Sequence, residues 1–80
     1  MHEMHLIQGL LKDVIELAEK EKAKKVTNIY IKMGEFTEIN QEILKYYFIN
    51  HSKGTIADGA NINIEHSDTR ELRLISFDCE

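Results

Sequence analysis

The chain has 80 residues, 42% of them hydrophobic and 30% charged, with a formal net charge of −4 at pH 7. This is a globular balance, enough for one domain that buries about 60% of its unfolded surface but not for a deep active-site cavity as well. Nothing in this acidic balance points to a chain built to bind nucleic acid or an anionic membrane surface. Lys20, Lys22, Lys24 and Lys25 cluster, but Glu16, Glu19 and Glu21 interleave with them, as on a solvated helix end. The lone cysteine, Cys79, cannot form an internal disulfide and suits a reducing compartment. No stretch approaches the ~20 apolar residues that span a bilayer, and the N-terminus lacks the basic and apolar regions of a signal peptide. The expectation is a cytoplasmic protein.

Leu6, Ile7, Leu10, Leu11, Val14, Ile15, Leu17 and Ala18 recur at helical spacing, with Gln8, Lys12, Asp13, Glu16 and Glu19 opposite. This predicts an amphipathic helix ending near Ala23. Thr27, Ile29, Ile31 and Met33 alternate with Asn28, Tyr30 and Lys32, a half-buried strand stopped by Gly34. Asn40 is a good N-cap for a second helix, and Ile39 and Leu44 stand at the spacing of a hydrophobic staple. Leu44, Tyr47, Phe48 and His51 share one face of that helix, which predicts a core or boundary position for His51; Gly54 is the expected stop. After the Asp58-Gly59 turn signal, Ile62 and Ile64 mark a second strand and Leu72 to Phe77 a third. The short Ser67–Arg70 link predicts that these two strands pair as an antiparallel hairpin. The order helix, strand, helix, strand, strand predicts a two-layer α+β domain spanning 1–80, both helices on one face of a small three-stranded mixed sheet.

The residues that carry chemistry are Met1-His2-Glu3-Met4-His5. The α-amine of Met1, the backbone amide of His2 and the His2 imidazole can close small chelate rings around one cation. Divalent nickel or copper favours such nitrogen donors, and because binding displaces protons, affinity should rise with pH. A remaining position can come from the Glu3 amide, its carboxylate, or His5. The competing reading is a terminal histidine without function, since chain ends fray. His66, at the end of a strand, is expected to be solvent-exposed. Other chemistry is weak: Cys79 has no histidine or helix N-terminus beside it in sequence to activate it, the glycines are too scattered for a phosphate loop, and the spacing of Glu35, Glu38, Glu42 and His51 does not demand an acid–base pair.

Met1-His2-Glu3, an amphipathic helix and a strand running into Gly34-Glu35 together resemble the start of the HypA family. The run Lys53-Gly54-Thr55-Ile56-Ala57-Asp58-Gly59-Ala60 with Ile62 and Ile64 resembles the approach to that family's second strand, and Glu71-Leu72-Arg73-Leu74-Ile75-Ser76 its last strand. The resemblance covers essentially the whole chain. It implies a nickel metallochaperone, not an enzyme, that serves maturation of nickel–iron hydrogenase and in some members urease. It further implies Met1, His2 and Glu3 as the nickel site; His5 lies outside the family pattern and is an added ligand only on the reading of this sequence's own residues. The implied partners are a HypB-type maturation GTPase and, indirectly, the hydrogenase large-subunit precursor. The family carries a zinc module of Cys-x-x-Cys pairs between its second and last strands; here that place, from about 66 to 71, holds no cysteine. Four suitable ligands are needed for structural zinc, so no zinc is expected, and His66, at the edge of that place, is the candidate to substitute for a donor the module would lend. A short link replacing a module also raises the expectation of either a monomer or a domain-swapped dimer. The runner-up function is a docking module that engages the GTPase without delivering metal.

Overall fold

The computed structural model describes residues 3–80. Ile7, Leu10, Leu11, Val14 and Ala18 follow one another at intervals of three and four and form the buried stripe of α1 (Met4–Lys20). The helix stops earlier than its apolar spacing predicts because Lys22 adopts a left-handed conformation (φ 59°). The amide of Ala23 then donates to the carbonyl of Ala18 and that of Lys22 to Glu19, which closes the last turn in a Schellman arrangement. The chain enters β1 (Val26–Met33), whose Val26, Ile29, Ile31 and Met33 are buried.

In α2 (Gln41–His51), Asn40 caps the first turn, its side-chain oxygen accepting from the Ile43 amide at 2.9 Å. Ile39 and Leu44 are both buried on either side of the cap, as the staple spacing predicts. Leu44 and Phe48 are the only residues of α2 fully turned into the core. His51, expected in or at the core, is exposed instead. Its ring stacks on Tyr47 at 3.9 Å between centroids, and its Nδ1 lies 3.1 Å from the Tyr47 carbonyl. The helix needs only two large side chains to cover its share of the sheet, so the next turn is free to face water.

β1 is the middle strand, and β2 (Asn61–His66) and β3 (Leu72–Cys79) are the edges. β2 runs parallel to β1, with Ile29 opposite Ile62 and Ile31 opposite Ile64, the outcome expected of a strand–helix–strand passage. β3 runs antiparallel to β1, with Ile29 opposite Phe77, Ile31 opposite Leu74 and Met33 opposite Leu72. All these side chains belong to the core that the helices cover. Asn28, Tyr30 and Lys32 alternate onto the other face. A bulge between Tyr30–Ser76 and Ile31–Leu74 leaves Ile75 without a partner and exposed.

The expected hairpin of β2 and β3 does not form, because β1 lies between them. The most continuously buried strand takes the centre, where both its edges are hydrogen-bonded and its apolar side chains have neighbours on each side. The Ser67–Glu71 connection must then cross the end of β1 and span two strand spacings, about 10 Å, which an extended link of that length can reach. It crosses at Gly34. The Ser67 amide donates to the Met33 carbonyl at 2.9 Å and the Gly34 amide to the Glu71 carbonyl at 2.7 Å. A Cβ on Gly34 would stand 1.5 Å from the Thr69 carbonyl oxygen, so no side chain fits there.

Gly34→Ala should therefore destabilise the domain by about 2 kcal/mol or more, since backbone must move to admit one methyl group. Urea unfolding would measure this. A variant as stable as the parent would mean that the connection does not sit on Gly34 in solution.

Candidate metal centre

Met1 and His2, the two residues most central to the expected nickel site, lie outside the described residues. The site is therefore built from Glu3 onward. Glu3 occupies the N-cap position of α1, yet its side chain makes no capping hydrogen bond to its own helix. It turns toward the loop before α2 and is only 6% exposed. Its Oε2 accepts from the Thr37 amide at 3.4 Å and from the Thr37 hydroxyl at 3.3 Å, while Oε1 accepts from the Glu38 amide. The guanidinium of Arg70 donates to Oε2 and forms an ion pair with it. In return, the Glu3 amide donates to Glu38 Oε1 at 2.9 Å. Loss of hydration pushes the Glu3 carboxyl upward, but the bonds from Glu38, Arg70 and Thr37 and the nearby guanidinium charge outweigh it and hold the group below its usual range.

Both Glu3 groups offered as donors for a cation are thus already engaged by the protein, the amide by Glu38 and the carboxylate by Thr37, Glu38 and Arg70. The structure gives Glu3 the position of an anchor. His5 is exposed on the first turn of α1, at the mouth of a groove between α1 and β3 that Leu6, Gly9, Leu72 and Arg73 also line. His66 is exposed at the end of β2 and borders a hollow over Gly34, Glu35 and Phe36. Among the described residues, no group of three or more His, Cys, Asp or Glu side chains is arranged to hold a metal ion, and no helix is long and apolar enough to cross a membrane.

Sequence reasoning did not find Thr37, Glu38 or Arg70. Thr37 and Glu38 precede the Asn40 cap by two or three positions, where a turn is expected, but nothing local marks them as partners of residue 3. Arg70 lies 67 residues from Glu3 and reaches it only because the connection crosses the end of β1. That connection is itself braced: the Glu71 carboxylate accepts from Ser67 Oγ and Thr69 Oγ1, each at 2.6 Å, and from Arg73 Nε at 3.0 Å. The hydroxyls of Ser67 and Thr69 and the Arg73 charge lower the Glu71 carboxyl from 4.5 to about 2. The Arg70 side chain also lies over the Phe36 ring, 5.3 Å from its centroid, a cation–π geometry.

Two helices on a three-stranded mixed sheet, with residue 3 clamped between two loops, define a small α+β scaffold organised around its own N-terminal segment. Residues 1–79 match the family model described as "Hydrogenase/urease nickel incorporation, metallochaperone, hypA". "Hydrogenase maturation factor HypA" of Archaeoglobus fulgidus is 42% identical over 74 residues, covering 90% of this chain and 67% of that protein. The protein of the same description from Caldanaerobacter subterraneus subsp. tengcongensis is 44% identical over 62 residues, covering 78% of this chain and 54% of its own length. The solution structure of the Ni metallochaperone HypA from Helicobacter pylori superposes with a TM-score of 0.67 over 95% of this chain and 72% of that one; at 18% identity it shows a shared fold. The chain belongs to the HypA family. It spans between about half and two thirds of the length of the two curated relatives.

The Glu71 brace has a measurable pH signature. Its carboxyl titrates near 2 in the folded chain instead of 4.5, so folding favours the ionised form. The stability it lends is complete above about pH 4.5 and is lost as pH falls toward about 2. Urea midpoints followed downward from neutral pH should fall more steeply for the parent than for Glu71→Gln across that window. Parallel curves would mean that the brace is not formed in solution.

Proposed function

We propose that this chain is the nickel-binding domain of a HypA-type metallochaperone, taking up Ni(II) at its N-terminus and passing it on during hydrogenase maturation, with urease as a second recipient class. The observation that carries this reading is the clamp on Glu3: in a family described by nickel incorporation, the residue that follows Met1-His2 is buried and held by two loops. The proposed donors are the α-amine of Met1, the His2 amide and the His2 imidazole, a nitrogen set suited to divalent nickel. With the Glu3 carboxylate and amide engaged elsewhere, Glu3 serves the site by fixing its base, and exposed His5 is the nearer candidate for a further donor. The work is to bind, hold and release a cation, with no catalysed reaction. A HypB-type GTPase is the proposed delivery partner and the hydrogenase large-subunit precursor the eventual recipient. Ser67–Glu71 joins β2 directly to β3, where a zinc module would have to be inserted, so the proposed metal content is nickel without zinc.

A second reading has one observation in its favour. Tyr46 and Ile49, on the outer side of α2, are 72% and 57% exposed, large apolar surface that suits a protein partner. On this reading the domain docks the GTPase without carrying metal.

One calorimetric titration separates the two. Protein with its native N-terminus should bind nickel one to one. His2→Ala, and a chain with one glycine placed before Met1, should both lose that binding because each removes a member of the chelate. Affinity should rise with pH as amine, amide and imidazole give up protons. Copper belongs in the same series because nitrogen donors generally hold it more tightly than nickel. Binding that survives both changes would move the metal elsewhere. No binding at all, with GTPase association unaffected by His2→Ala, would leave the docking reading.

A further inference from the structure

Glu3 presents an electrostatic problem that the fold solves from a distance. A carboxylate removed from water needs full replacement of its hydration, and its side chain is 7% exposed. The loop before α2 supplies two backbone amides and the Thr37 hydroxyl. These are neutral donors that come with the local turn. The cation comes from Arg70 in the β2–β3 connection, whose own side chain is 66% exposed apart from the contact it makes. Arg70 is held in place on both sides: Phe36 lies under its guanidinium, and the Glu71 carboxylate ties down Ser67 and Thr69 around it. The connection cannot drift, because it is hydrogen-bonded to Met33 and Gly34 at the end of the central strand.

We propose that Arg70 is a positioning residue for the N-terminal cargo site: by pairing with Glu3 it fixes the residue to which the proposed His2 and α-amine donors are joined. This inference rests on the nickel-binding reading above. Arg70 touches no metal and acts only through Glu3. Holding the base of a short arm reduces the freedom that the chelate must surrender on binding, and outer-shell partners that orient metal ligands typically alter affinity by about 10- to 100-fold. Arg70 acts one residue further back than such partners, so the low end, about tenfold, is the expected effect. The same geometry makes the β2–β3 connection, far from the N-terminus in sequence, the place from which the site is adjusted.

The test compares Arg70→Gln, Arg70→Lys and, as a control that likewise removes one surface cation, Lys12→Gln, all with native N-termini. Two measurements are made on each. The first is nickel affinity by calorimetry together with the visible ligand-field spectrum of the nickel complex. The second, in the absence of metal, is hydrogen exchange of the Glu3 amide, which is bonded to Glu38. Arg70→Gln is expected to bind nickel about tenfold more weakly, to alter or broaden the ligand-field bands, and to exchange the Glu3 amide faster, while its backbone spectrum stays that of a folded chain. Arg70→Lys keeps the charge without the fork and should recover part of the loss; Lys12→Gln, on the solvent side of α1 beside Glu16, should match the parent in every reading. A parent protein that takes up no nickel would end the functional reading and with it the cargo half of this inference. Nickel bound normally by the parent, with affinity, spectrum and Glu3 exchange all unchanged in Arg70→Gln, would overturn the role of Arg70 alone.

Discussion

Everything at one end of this domain depends on a crossing that leaves no room for a side chain. β1 occupies the centre of the sheet, so the segment joining the two edge strands has to pass over the end of β1. It does so in direct backbone contact with Gly34. This brings two loops that are remote in sequence, Gly34 to Asn40 and Ser67 to Glu71, against each other. The start of α1 completes the group, because α1 packs beside β3 and delivers its first turn to the same end. A sheet ordered in sequence, with β2 and β3 as a hairpin, would have separated these segments.

Burial of the Glu3 carboxylate follows from that meeting. On an isolated helix an acidic residue at this position would cap its own amides or face water. Here two loops supply donors of the opposite kind, so the carboxylate leaves the helix and becomes the point where three parts of the chain join. The amide of Glu3 and the carboxylate of Glu38 complete the exchange in the other direction. The anchor sits immediately after the residues that the proposed chemistry requires, and its strength comes from elements whose own positions are set by the core.

The surfaces divide the remaining roles. The uncovered face of the sheet is polar, with Tyr30 and Asn28 donating to the Asp78 carboxylate and Lys32 near Glu65. The exposed apolar side chains are concentrated on the helices, at Leu6, Leu17, Ile43, Tyr46 and Ile49, with Ile75 pushed outward by the bulge. A partner would therefore find its apolar surface on the helical layer. Glu3 and the groups that clamp it lie at one end of that layer, at the start of α1.

Much was legible in the sequence because it is carried by short-range patterns. The stripe Ile7, Leu10, Leu11, Val14, Ala18, the alternation through Ile29, Ile31 and Met33, and the Asn40 cap with its Ile39–Leu44 staple each depend on a few neighbouring residues and a fixed period. The same holds for the Met1-His2-Glu3 start and the segments that resemble the HypA family. Where local signals competed, the sequence misled. His51 shares a helical face with Leu44 and Phe48, yet the sheet beneath was already covered. The brief Ser67–Arg70 link suggested a hairpin, although it is just long enough to cross a strand. What only the tertiary structure decided was which strand takes the centre, and therefore that Gly34 must lack a side chain and that Arg70 meets Glu3. The sequence by itself determined the elements and most of their buried faces, because those are properties of adjacent residues. Strand order and a contact 67 residues apart are set by how the whole core closes, and no local period records that.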